Sequence, residues 1–89
     1  MKTNIDKFEF YEGFYLAMKE LSVMEAGYFA VALGSLMFEG NAFSFYSYDD
    51  MPPASVAAFF SAKPNLDKQF IEQGGKIEDD NQEQEYEEV

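Results

Sequence analysis

The chain has 89 residues, a formal net charge of −11 and 47% hydrophobic residues, with ten Phe and six Tyr among them. That length bounds it to one domain, near the lower end of what a single core stabilises alone. It contains no Cys, His, Arg or Trp, which excludes disulfides, thiolate and imidazole chemistry, Cys- and His-based metal sites, and bidentate guanidinium clamps on phosphate. The acidic balance argues against direct contact with nucleic acid or an anionic membrane, because both draw affinity from neutralised phosphate.

The opening stretch MKTNIDKFEF lacks an apolar run of signal-peptide length, so a cytoplasmic protein is expected. Met1 to Lys7 is polar and predicts a frayed lead-in. From Phe8 to Leu21, Tyr11, Phe14, Tyr15, Met18 and Leu21 recur at the spacing of one helical face, which predicts a first helix. Gly13 either sits inside that helix, at a cost of about 1 kcal/mol relative to Ala, or marks where it begins.

Ser22 to Glu39, SVMEAGYFAVALGSLMFE, predicts the central helix. Ser22 and Glu25 form an S-x-x-E capping box, in which each side chain satisfies a backbone N–H left open at the helix start. Gly40 follows the last apolar turn, where a left-handed residue usually stops a helix. Apolar groups go most of the way round this segment, so its neighbours are expected to pack on several sides. A membrane span is not expected, because Glu25 and Glu39 enclose only 13 residues.

Asn41 to Met51 reads as an aromatic loop, with Phe43, Phe45, Tyr46 and Tyr48 among Ser, Asn and Asp. Pro52 and Pro53 suit the start of a third helix, with Asp49 and Asp50 placed to cap it. Val56, Phe59 and Phe60 predict its apolar face, which Leu66, Phe70 and Ile71 continue. Pro64 is expected to kink or break the helix by removing a backbone donor opposite Phe60. Lys68 is placed to pair with Glu72 one turn later. Gly74-Gly75 ends the folded domain, residues 1–75. From Lys76 onward, KIEDDNQEQEYEEV carries −6 of the net −11 with almost nothing to bury, which predicts a disordered acidic tail over 76–89. The expected architecture is therefore all-α: a small three-helix bundle with a kinked third helix, and no sheet of its own.

Three segments resemble a family of small phage and prophage proteins that share a domain of unknown function (DUF6291-like). They are FEFYEGFYLAMKELSVMEAGYFAVAL, the FEG at Phe38 to Gly40, and AFFSAKPNLDKQF at Ala58 to Phe70. The resemblance spans roughly residues 8 to 76 and implies a bacteriophage or mobile-element origin, hence a bacterial host cell, and a helical fold. It implies no activity and no site residues. The acidic ending departs from the basic extension common in that family, which puts any inherited nucleic-acid contact in doubt.

Carboxylates are the only candidates for catalysis. Asp49 and Asp50 could join Asp67 or Glu72 around a divalent cation, yet capping and solvation account for them, and no spaced acidic loop is present. No enzyme, cofactor or metal site is expected. Lys63 and Lys68 beside Pro64 could face an anion, although the favoured reading is structural, a bend of the helix around the core. Sixteen aromatics exceed what three short helices readily bury, and surplus apolar surface marks interfaces. The expected partner surface is Phe43, Phe45, Tyr46, Tyr48, Asp49 and Asp50, or else the two Phe cap the core and leave the two Tyr outside. The expected role is protein–protein binding, as an acidic inhibitor or nucleic-acid mimic of a basic host protein, with a structural or self-associating phage component as the alternative and a homodimer compatible with either.

Overall fold

A computed structural model describes residues 2–78. Three helices form the body: α1 (Glu12–Lys19), α2 (Val23–Glu39) and α3 (Pro53–Glu72). The chain is all-α apart from one small sheet, in which β1 (Lys2–Thr3) pairs antiparallel with β2 (Ile77–Glu78). No described helix is long and apolar enough to cross a membrane.

Helix α2 begins and ends where local chemistry dictates. Glu25 N–H donates to Ser22 Oγ at 3.1 Å, and Ser22 N–H donates to Glu25 Oε1 at 2.9 Å, completing the capping box. Gly40 adopts φ 79° and returns its N–H to the Leu36 carbonyl at 3.0 Å. It is this left-handed conformation that calls for glycine, while a side chain there would only push aside the tip of exposed Ile77.

Helices α2 and α3 supply most of the core and lie parallel. Ser55 Oγ, fully buried in the first turn of α3, donates to the Glu25 carbonyl near the start of α2 at 2.7 Å. At the far ends, Ile77 follows α3 and meets Gly40, which closes α2. Phe29, Leu33 and Met37 of α2 interlock with Phe59 and Leu66 of α3, all essentially inaccessible. Parallel neighbours need a long return, and residues 41–52 make it. Pro64 lies within α3 without breaking it, and Leu66 beyond it keeps to the buried side set by Val56, Phe59 and Ala62.

The N-terminus departs from expectation. Residues 2–11 are an extended strap along the body, not a frayed lead-in followed by helix, and α1 starts only at Glu12. The cause is a set of side chains that claim the strap's backbone. Buried Gln69 accepts from Glu9 N–H at 2.8 Å and donates to the Glu9 carbonyl at 3.1 Å, so that peptide is unavailable to a helix. Gln73 donates to the Lys7 carbonyl at 3.0 Å. Fully buried Thr3 donates through Oγ1 to the Met37 carbonyl at 2.6 Å and accepts from Ile5 N–H at 3.1 Å. The Asn4 carboxamide spans Gly74 and Lys76, at 3.1 and 2.7 Å.

Further differences follow from packing. Lys76 to Glu78 belong to the folded body because β1 holds them, so a sheet that was not expected is present in minimal form. The rest of the acidic tail, residues 79–89, lies outside the described residues. Ile71 and Phe60 are exposed, since the buried arc of α3 turns through Leu66 and Gln69 instead. Lys68 and Glu72 do not pair. Among the described residues the ion pair is Lys63–Asp67 at 2.8 Å, half exposed and worth about 0.3–0.5 kcal/mol.

Gln69→Ala is expected to cost about 1–3 kcal/mol in urea unfolding, since it strands buried polar groups, whereas exposed Gln73→Ala should cost about 0.5 kcal/mol or less. Phe29→Ala or Leu33→Ala should cost about 2–5 kcal/mol through the cavity left behind.

Candidate binding surface

The return between α2 and α3 is shaped by short polar side chains bonding near neighbours in sequence, one through the backbone and two through carboxylates. Asn41 Oδ1 accepts from Phe43 N–H at 3.0 Å, and Ser44 Oγ donates to the Glu39 carboxylate. Ser47 Oγ donates to Asp50 Oδ2 at 3.0 Å, within a single 3₁₀ turn over Tyr48–Asp50. Asp49 and Asp50 therefore do not cap α3. Pro52 is the residue at its N-cap, with no side-chain hydrogen bond, and the Pro52-Pro53 pair keeps the preceding chain extended.

The six expected contact residues divide into three groups. Phe43 turns inward, its ring 5.4 Å from Tyr48, 5.9 Å from Phe59 and 6.4 Å from Phe60, and so finishes the core. Phe45 and Tyr46 lean over α2, with Tyr46 edge-on to Tyr28 at 4.7 Å and Phe45 against Tyr46 at 4.6 Å. Tyr48, Asp49 and Asp50 face the start of α3 and are exposed. Both Phe were candidates for capping the core, and only Phe43 does so; Phe45 is 69% exposed.

On the α3 side lies an open groove of about 480 Å³ lined by Tyr48, Asp49, Met51, Val56, Ala57 and Phe60. Its lining is apolar for the most part, and Asp49 is the one carboxylate in it. Phe60 was missed as a surface residue because its spacing from Val56 fits the buried face. Its neighbour Phe59 takes the core position, with the two rings 5.3 Å apart.

A second groove of about 440 Å³ lies between the strap and the end of α3, lined by Lys7, Phe8, Glu9, Tyr11, Gln69, Glu72 and Gln73. The Tyr11 phenol there has its pKa raised, first by a hydrogen bond with Glu9, then by desolvation and the Glu9 charge. Among the described residues no three Asp or Glu gather as a metal site, and Asp67 is held by Lys63 rather than by Asp49 or Asp50. No family model, curated protein or solved structure matches the chain.

Phe43→Ala is expected to lower stability by about 1–3 kcal/mol, and Phe45→Ala to change it by about 0.5 kcal/mol or less, measured by thermal or urea unfolding.

Proposed function

We propose that the chain is a non-catalytic binding module, a phage or prophage accessory protein that engages a basic protein of its bacterial host. The observation that carries this is the meeting, in one groove, of exposed Tyr48 and Phe60 with the Asp49 carboxylate, and Asp50 beside it in the same turn. Aromatic side chains give large contact area at low entropic cost, and carboxylates at the rim select a cationic partner. The net charge of −11 steers a basic protein toward the chain from a distance, and so suits an inhibitor that occupies a surface meant for nucleic acid. Resemblance of three sequence segments to phage proteins supports the setting. A self-associating assembly component is the second reading, favoured by an uncovered apolar face on α2.

A Lys-rich amphipathic helical peptide titrated into isotopically labelled full-length protein tests the first reading. Amide shifts should centre on Tyr48, Asp49, Ala57 and Phe60, and affinity should fall about tenfold or more as salt rises from low to near-molar ionic strength. Asp49→Asn with Asp50→Asn should weaken binding about five- to tenfold, and Tyr48→Ala at least as much. Shifts confined to residues beyond Glu78, or salt-insensitive binding, would contradict it.

A further inference from the structure

Helix α2 buries one side and leaves much of the other open, where the side chains are apolar except for a single carboxylate, Glu39, at the end of the helix. Met24, Gly27, Val31, Gly34 and Phe38 follow one another at intervals of three, four, three and four, which is the spacing of a helix seam. Val23 is 91% exposed, Met24 67% and Phe38 36%, and Ala30 is exposed beside them. Phe45 and Tyr46 extend this band from the side, forming two shallow grooves of about 300 Å³ each along α2. Of the two carboxylates that bound the helix, Glu25 is engaged in its capping box, and exposed Glu39 lines the end of one groove, where it accepts from Ser44.

From this face we infer that the chain forms a homodimer in which α2 packs antiparallel against α2 of a second copy, with the twofold axis at Val31. Three features select a second copy as the occupant. The first is the order of sizes along the seam: large Met24, small Gly27, Val31, small Gly34, large Phe38. This order reads nearly the same in both directions, as a self-complementary twofold interface requires. Antiparallel docking sets Met24 against Phe38 of the second copy and Gly27 against its Gly34. The second is charge. A band whose one carboxylate, Glu39, lies at its end and is held by Ser44 offers a basic protein little to pair with, and antiparallel docking about Val31 sets Glu39 near Val23 of the second copy rather than against the second Glu39.

The third is area. Helix α2 is about 25 Å long, and its band with Phe45 and Tyr46 presents on the order of 600 Å² per copy. Two such faces total on the order of 1,200 Å², within the range of specific interfaces. Space is also available: a side chain at Gly27 would meet nothing within 4 Å, and one at Gly34 would meet only Phe38. The glycines thus leave hollows on the outer face that neither the core nor a turn uses. This surface is separate from the Tyr48–Phe60 groove, and the dimer stands whether or not a basic partner binds there.

Sedimentation of the full chain and engineered cross-linking test the dimer together. The 10.2 kDa chain should sediment at about twice that mass, and association should tighten with added salt as repulsion between the two acidic copies is screened. Gly27→Leu should weaken association about tenfold or more while leaving the melting temperature of the monomer unchanged or higher, because Leu favours helix and nothing surrounds the site.

The chain has no Cys, so introduced thiols report the register directly. Val31→Cys should cross-link to itself on mild oxidation. Met24→Cys and Phe38→Cys should not do so singly, but should cross-link when mixed. A monomer at 100-fold above micromolar concentration, on the order of 0.1 mM, would overturn the dimer, since a functional interface of this size is expected to hold there. Unchanged association of Gly27→Leu would remove the interface from α2. Self-cross-linking of Met24→Cys as efficient as that of Val31→Cys would overturn the antiparallel register.

Discussion

One side-chain amide ties the N-terminal strap to α3. Gln69, buried on α3, takes both the N–H and the carbonyl of Glu9 and gives its remaining N–H to Asn65 Oδ1 at 2.8 Å. Burying a carboxamide is costly unless its hydrogen bonds are made, and here three are. The same bonds stop residues 8–11 from joining α1 and keep them extended. With Thr3 anchored on Met37 and Asn4 on Gly74 and Lys76, the strap covers flanks of α2 and α3 that two parallel helices leave open.

Parallel packing of α2 and α3 then determines the remaining surface. The chain must return along their length, and the return segment carries four aromatics. Phe43 seals the core on the way, while its neighbours divide between two faces: Phe45 and Tyr46 beside α2, and Tyr48 with the two aspartates beside α3. One face is apolar with a single carboxylate, Glu39, at its end, and the other is apolar with Asp49 and Asp50 beside it. Added salt acts on these oppositely, since it screens repulsion between like copies and attraction to a cationic partner alike.

Features set by neighbours in sequence are legible from the residues alone. The Ser22–Glu25 box, the Gly40 stop and the Pro53 start each depend on a few adjacent residues, and α2 and α3 lie within a residue or two of their expected bounds. The strap is not legible in this way, because Thr3, Asn4 and Gln69 act across more than thirty residues and their partners are main-chain groups that no pattern marks. A clue is present in KFEFY, which alternates apolar and polar residues, but it overlaps the helical spacing from Tyr11 onward. The near-complete apolarity of α2 conceals its open face for a similar reason. Apolarity on all sides predicts burial on all sides, and spacing cannot separate the buried Phe29, Leu33 and Met37 from the open Met24, Gly27 and Phe38, because both sets recur at helical intervals.

If the strap is part of the cooperative fold, native-state amide hydrogen exchange at Ile5 and Glu9 measures it most directly. Both N–H groups are bonded to side chains, Ile5 to Thr3 and Glu9 to Gln69. They should exchange only with global unfolding, at the same free energy as the amides of Leu33 and Phe59 in the core. Exchange within about tenfold of an unstructured peptide, with the core amides still protected, would show that the parallel helices stand without the strap and would contradict its place in the fold.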